Sequence, residues 1–203
     1  MYLAHIVHKT RFYSLRYRWN FIKISVNLTF GGPDTNFKLF GFVDASTSMS
    51  GDSRPQIGIC IYYNLTSGSF YSVSKLAKVV ATSSTHAEII AIDMFCKINE
   101  NIRLFIREMG VELTIPTIIY SDSEPSILLM DTLKQSNCTK QIYLRINYIR
   151  EQINLRNIEL KFVPSELNVA DALMKPLNGD IFHKHRRRLL HGFDGRAWSG
   201  FEF

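Results

Sequence analysis

The sequence has few cysteines, no long apolar run and no acidic residue near its start. Its three cysteines, Cys60, Cys96 and Cys138, are odd in number and form no C-x-x-C pair. This pattern argues against a disulfide framework, a zinc site or a redox motif, and it favours an intracellular chain. No stretch of about 18 uncharged apolar residues occurs, so the sequence predicts a soluble protein without a membrane partner. No aspartate or glutamate precedes Asp34.

The composition is that of an ordinary globular protein with a basic balance. With 203 residues, of which 46% are hydrophobic and 12% aromatic, the chain can bury a sizeable core as one domain with an extension. The formal net charge is +6. This excess favours a polyanion such as nucleic acid as a partner, although proteins that bind nothing acidic also carry such an excess.

Residues 1–27 form a basic N-terminal extension that we predict to lie outside the fold. They include many aromatic side chains but show no regular period of two or 3.6 residues. A mitochondrial transit peptide is a second interpretation, which the absence of a serine-rich amphipathic helix disfavours. The regular patterns start near Leu28 and fade after Leu190, which predicts a folded domain over residues 28–190 and a C-terminal tail over residues 191–203.

The hydrophobic pattern of the domain predicts an α/β fold. Phe37–Asp44 has apolar residues on both faces, as in a central strand that is covered on both sides. Further strands are predicted over Gln56–Tyr63, Ser69–Ser74, Thr117–Asp122 and Ile158–Pro164, and helices over Thr85–Met109, from Ser123 onward, over Gln141–Arg156 and after Asn168–Asp171.

The longest predicted helix carries Glu88 in its first turn. Apolar residues recur at steps of three and four from Ala87 to Met109, and Gly110 ends the pattern. One interpretation of Glu88 is a capping box with Thr85, in which each side chain accepts a hydrogen bond from the other residue's backbone N–H. Glu88 also lies at the border of the predicted buried face, where an unpaired carboxylate is costly unless a cation meets it. A metal ion is the second interpretation.

Three aspartates are placed to join Glu88. Asp44 and Asp122 end two predicted strands, and Asp171 belongs to the stretch Asn168–Asp171 that is predicted to cap the last helix. Each aspartate alone is also explained by a turn or a helix cap. Because ligands of open α/β sheets gather at the carboxyl ends of strands, the four side chains can converge there. Such an all-oxygen cluster suits Mg²⁺, or Mn²⁺ in its place, and two ions about 3.5–4 Å apart would support phosphodiester hydrolysis.

Four stretches of the chain carry a resemblance to a known family. They are Gly41–Ser46, Val73–Ile89, Tyr120–Ser126 and Ala170–Leu177. Together they resemble motifs of the ribonuclease H (RNase H) domain at the C-terminal end of the Pol polyprotein of copia-type LTR retrotransposons. The resemblance implies an RNase H-like fold, with a mixed five-stranded sheet and helices on both faces.

The resemblance also implies an activity. It implies an endonuclease that cuts the RNA strand of RNA–DNA hybrids during reverse transcription, in the cytoplasm within virus-like particles, in the nucleus, or in both. A reverse transcriptase domain would be supplied by another chain. The implied catalytic and metal-binding residues, for two Mg²⁺ ions, are Asp44, Glu88, Asp122 and Asp171.

The chain departs from the family at Ser46 and Thr47, over Gly192–Phe203, and in two regions that bear more directly on function. Lys140–Asn147 lacks two histidines and an aspartate that the family commonly has there, which concerns substrate handling or turnover. The first 26 residues do not resemble the family's connection to the polymerase. We therefore interpret the chain as a truncated and decayed element that kept its nuclease module.

Three functions stay open from the sequence. The first is an active hybrid-cutting nuclease, for which all four acids are present. The second is a nucleic-acid-binding remnant that no longer cuts, and the third is a relic without function. The basic residues predicted to contact nucleic acid are Lys75, Lys78, Lys140, Arg145 and the run Arg186–Arg188.

Overall fold

Two short strands near the N-terminus pair with each other and not with the main sheet. The computed structural model describes residues 38–47, 54–63, 65–131 and 140–193, together with the backbone of residues 4–9 and 23–28. Strands β1 (Ala4–Lys9) and β2 (Lys23–Leu28) form an antiparallel pair. The sequence analysis did not predict these strands, although Ile24, Val26 and Leu28 of β2 alternate with polar residues. The domain boundaries proposed above stay predictions.

The main sheet has five strands of mixed direction, as the predicted fold class requires. Its strands are β3 (Phe40–Thr47), β4 (Pro55–Tyr62), β5 (Tyr71–Leu76), β6 (Thr117–Ser121) and β7 (Ile158–Phe162). Their order across the sheet is β5-β4-β3-β6-β7. In this sheet β4 runs antiparallel to both β3 and β5, whereas β6 runs parallel to both β3 and β7. The carboxyl ends of β3 and β6 therefore meet at one edge.

Four helices and two 3₁₀ turns complete the described part of the chain. The helices are α1 (Ser84–Glu108), α2 (Glu124–Asp131), α3 (Lys140–Asn154) and α4 (Gly179–His191). The 3₁₀ turns, Ser165–Leu167 and Val169–Leu173, lie between β7 and α4. Within the described residues, no helix combines the length and the apolar character that crossing a membrane demands.

Both faces of the sheet are covered, because β3 is apolar on both sides. On one face Val43 packs with residues of α1, α2 and α3. On the other face Phe40 and Phe42 pack with the Val169–Leu173 turn and α4. The ring of Phe193, which follows α4, stacks on Phe42 with 5.3 Å between the ring centroids. Helices on both faces were predicted, and this prediction is confirmed.

Helix α1 lies directly against β3 at its first half and carries exposed apolar residues near its end. A Cβ atom on Gly41 would lie 2.1 Å from the ring of Phe95, so only glycine permits this approach. At the other end, Phe105 and Met109 are 46% and 38% exposed, although they belong to the predicted apolar face. The reason is length, since 25 helical residues rise about 37 Å whereas an eight-residue strand spans about 27 Å.

Candidate metal centre

Asp44 lies inside strand β3 and not at its end. The sequence placed the end of the strand at Asp44, but β3 continues to Thr47, because its last residues pair with β4 as far as Pro55. Asp44 itself is paired with Gly58 of β4. Its side chain is only 4% exposed, and it points to the face that carries Phe42.

Glu88 lies in the second turn of α1, so the capping-box interpretation is wrong. The helix begins at Ser84, and its cap is Ser83, whose hydroxyl accepts a hydrogen bond from the backbone N–H of His86 at 3.1 Å. Glu88 is 7% exposed, and its Oε1 atom accepts a hydrogen bond from the backbone N–H of Ala45 at 3.2 Å. The carboxylate is thereby held against β3 beside Asp44.

Asp122 follows β6 directly, where the sequence predicted it. The strand ends at Ser121. Two side chains from the segment after β7 donate to the Asp122 carboxylate: Ser165 Oγ to Oδ2 at 2.5 Å and Asn168 Nδ2 to Oδ1 at 3.2 Å. The carboxylate is half-buried, and both of its oxygens have a donor.

Asp171 lies in the Val169–Leu173 turn and not at the start of the last helix. Helix α4 begins only at Gly179, so the prediction that this segment caps it is wrong. The turn lies flat on β4, because a Cβ atom on Gly58 would be 2.5 Å from the carbonyl oxygen of Ala170. Since Gly58 pairs with Asp44, this approach brings Asp171 beside Asp44. Asp171 is 6% exposed.

The four predicted acids come together at one edge of the sheet. Carboxylate oxygens of Asp44, Glu88 and Asp122 lie within 4.8 Å of one another. Asp171 is within interaction distance of Asp44 and adds to the negative field. Among the described residues, Lys175 brings a positive charge to the cluster: its Nζ lies 2.6 Å from Asp171 Oδ1.

Burial and mutual repulsion shift the acidity of two of these groups. Burial, with the Asp171, Glu88 and Asp122 carboxyl groups, raises the pKa of Asp44 far above its ordinary value of 3.8. Burial is also the main cause that raises the pKa of Glu88 to about 7. No hydrogen-bond donor among the described residues reaches Asp44 Oδ2 or Glu88 Oε2. Buried oxygens of this kind are costly without a cation, and hard oxygen ligands suit Mg²⁺ or Mn²⁺.

Comparison with known proteins places these residues in a family. No protein-family model matches the chain. The retrovirus-related Pol polyprotein from transposon TNT 1-94 of Nicotiana tabacum is 30% identical over 148 residues, covering 73% of this chain and 11% of the polyprotein. The Pol polyprotein from transposon RE2 of Arabidopsis thaliana is 26% identical over 182 residues, covering 84% and 12%.

The fold agrees with these relatives. LC11-RNase H1, whose crystal structure was determined in complex with an RNA/DNA hybrid, is 18% identical with a TM-score of 0.51, over 68% of this chain and 94% of that one. The chain is a homologue of copia-type Pol polyproteins with the RNase H fold. It spans 11% to 12% of the length of the two Pol relatives, so it corresponds to one part of them.

The basic residues predicted to contact nucleic acid differ in how exposed they are. Lys75, Lys78 and Lys140 are exposed. Arg145 is instead half-buried and forms an ion pair with Asp93 of α1, which the sequence analysis had not considered. Their contact with nucleic acid stays a prediction.

Several residues of the centre were missed by the sequence analysis. Lys175 follows Asp171 by four residues, a spacing that favours ion pairs. Of the missed residues, it is the one that the local sequence could have revealed. Gly58 and Ser165 act through contacts between distant segments, so no local pattern marks them. Asn168 had been interpreted only as a cap.

Proposed function

We propose that the protein is a retrotransposon-derived ribonuclease H, a metal-dependent endonuclease that hydrolyses the RNA strand of RNA–DNA hybrids during reverse transcription. The observation that carries this proposal is the convergence of three buried or half-buried carboxylates, Asp44, Glu88 and Asp122, within 4.8 Å, with Asp171 beside them. Without cations, this arrangement would only destabilise the fold. The similarity to Pol polyproteins and to RNase H structures supports the same function.

The residues of the cluster would hold two Mg²⁺ ions, or Mn²⁺ ions. Metal ions held there would supply a water nucleophile at neutral pH and a positive charge for the leaving oxygen. The chain's own residues orient the ligands: the Ala45 N–H fixes Glu88, and Ser165 and Asn168 fix Asp122. Lys175 partly neutralises Asp171 and can attract a phosphate to the same edge.

The proposed partners follow from the metal centre together with the similarity to Pol polyproteins. The substrate is an RNA–DNA hybrid, bound along the basic residues Lys75, Lys78, Lys140 and Arg145. A reverse transcriptase domain on another chain would supply the hybrid. The place of action would be the cytoplasm, within virus-like particles, the nucleus, or both.

A cleavage assay on a labelled RNA–DNA duplex tests the proposal. With Mg²⁺ or Mn²⁺ we expect cleavage of the RNA strand of the hybrid. Neither strand of a DNA–DNA duplex of the same sequence should be cleaved. Asp44→Asn removes one carboxylate while keeping the side chain's volume, and should reduce the cleavage rate by several orders of magnitude. Equal cleavage by the wild type and this variant, or cleavage in the presence of a chelator, would contradict the proposal.

A nucleic-acid-binding remnant without turnover is the second candidate. It is favoured by the substitutions in Lys140–Asn147, which remove the family's two histidines and aspartate while keeping Lys140 and Arg145. In that case the wild type would bind the hybrid but leave it intact in Mn²⁺ as well as in Mg²⁺. The same assay, with a binding measurement added, therefore separates the two functions.

A further inference from the structure

Asn168 is a fully buried amide at the centre of the segments that carry the carboxylates. Its exposed fraction is 0%. Its Nδ2 atom donates to the carbonyl oxygen of Val43 at 3.1 Å and to Asp122 Oδ1 at 3.2 Å. Its Oδ1 atom accepts from the backbone N–H of Ala170 at 3.2 Å. Both donors and the acceptor of the amide are therefore used.

Each of these three hydrogen bonds leads to a different carboxylate. The bond to Asp122 is direct. Val43 immediately precedes Asp44 on β3, and Ala170 immediately precedes Asp171 in its turn. One side chain thus joins β3, the end of β6 and the Val169–Leu173 turn. Among the described residues, no backbone hydrogen bond links these three segments at the positions of the carboxylates.

Only an amide can make this set of contacts in the available volume. A carboxylate at position 168 has no N–H for Val43 or Asp122, and would place a fifth negative group in the cluster. An apolar side chain would leave the buried carbonyl of Val43 and the N–H of Ala170 without a partner. Asn168 therefore does more than cap the short turn that follows it.

We propose that Asn168 is a positioning residue that holds Asp44, Asp122 and Asp171 in the arrangement that binds the metal ions. This inference rests on the proposed function, because it assumes that the carboxylates bind metal. Partners that orient metal ligands usually affect metal affinity when they are removed, by about 10- to 100-fold. Asn168 would act through that affinity without touching substrate.

The test compares two buried asparagines. Asn168→Ala removes the proposed positioning contacts. Asn99→Ala is the matched control, because Asn99 is also 0% exposed and hydrogen-bonded, to Asn157 and Thr117, but on the part of α1 remote from Glu88. The readout is the Mn²⁺ dissociation constant, measured by calorimetry and by electron paramagnetic resonance well below the melting temperature. The melting temperature is recorded without metal for both variants.

We expect Asn168→Ala to weaken Mn²⁺ binding about 10- to 100-fold and Asn99→Ala to leave it unchanged, although both variants lose stability. An Asn168→Ala variant with wild-type affinity would overturn the inference, and so would an equal loss of affinity in both variants, which indicates a merely structural role. If Asn168→Ala does not fold, Asn168→Ser is measured by the same criterion.

The failure of the proposed function would look different. If the wild type binds no Mn²⁺, or if Asp44→Asn binds it as well as the wild type, the metal centre itself is refuted. The positioning role of Asn168 is then refuted with it. Wild-type binding that is lost in Asp44→Asn but kept in Asn168→Ala refutes only the role of Asn168.

Discussion

At the scale of single residues, the carboxylates of the centre repel one another, and bound metal ions would reduce this repulsion. Asp44 and Glu88 are buried, have raised pKa values and each keep one oxygen without a donor. The folded, metal-free protein therefore holds protons that the unfolded chain has already released at neutral pH. By linkage, its free energy of unfolding falls as the pH rises above about 4.

Asp44→Asn should remove most of this pH dependence in the presence of a chelator. Because the pKa of Asp44 is raised above its unfolded value of 3.8, the wild type loses stability as the pH rises, whereas the neutral amide does not. We expect the variant to exceed the wild type by about 1 kcal/mol or more at pH 8, and by much less at pH 5. Urea denaturation at the two pH values measures this difference.

The control is Asp180→Asn, because Asp180 is an exposed acid on α4 outside the cluster. Exposed substitutions of this kind change the free energy of unfolding by about 0.5 kcal/mol or less. Adding Mg²⁺ should reverse the order, since it stabilises only the form that binds it. A loss of folded protein in Asp44→Asn at both pH values would instead indicate a structural role for Asp44.

At the scale of elements, the centre depends on how closely the Val169–Leu173 turn approaches β4. Gly58→Ala would place a methyl group 2.5 Å from the backbone oxygen of Ala170, which cannot move without the turn. We expect this variant to lose about 1–3 kcal/mol of stability and to bind Mn²⁺ more weakly, because Asp171 is displaced from Asp44. Calorimetry and urea denaturation measure the two effects.

Gly179→Ala is the matched control, since a Cβ atom there meets no other atom within 4 Å. It should keep both the stability and the metal affinity of the wild type. If Gly58→Ala kept them as well, the turn would have room to adjust, and the close packing of glycine on the turn would not position Asp171.

The elements also show what the sequence can and cannot predict. The order of strands and helices from β3 onward and the place of Asp122 follow from local apolar runs with clear ends. The cap of α1 was assigned to the wrong residue, because Ser83, Ser84 and Thr85 are successive hydroxyl residues that can all cap a helix. The end of β3 and the turn around Asp171 were misplaced because cross-strand pairing and the contact with Gly58 decide them.

At the scale of the whole molecule, the positive charge should control how strongly the protein binds a hybrid. Phosphate contacts release counterions, so the logarithm of the binding constant should fall linearly with the logarithm of the salt concentration. Replacing the exposed residues Lys75 and Lys78 with glutamine should reduce this slope by about one for each lysine that contacts a phosphate. Fluorescence anisotropy with a labelled hybrid measures the slope.

Lys161→Gln provides the control for this experiment. Lys161 lies on β7, the last strand on one side of the sheet. Lys75 lies on β5, the last strand on the other side. We expect its substitution to leave the slope unchanged. Binding that does not respond to salt, in the wild type, would argue against a groove that follows the phosphate backbone.

The last prediction concerns the boundaries of the domain. Strands β1 and β2 pair with each other and not with the five-stranded sheet, so deleting residues 1–26 removes no carboxylate and no strand of that sheet. We expect this deletion to leave the melting temperature and any metal-dependent cleavage nearly unchanged. Removing residues 179–203 should instead unfold or inactivate the protein, because α4 and Phe193 cover one face of the sheet through Leu189 and the ring stack on Phe42.

Limited trypsin digestion tests the same boundary without a new variant. Arg11, Arg16 and Arg18 belong to the basic extension and lie outside the described residues. Rapid cleavage at these arginines, leaving a resistant fragment that begins near residue 27, is the expected result, because cleavage requires backbone that is free of the core. Protection of these arginines, together with a lower melting temperature of the protein that lacks residues 1–26, would mean that the extension packs on the domain and that the boundary is misplaced.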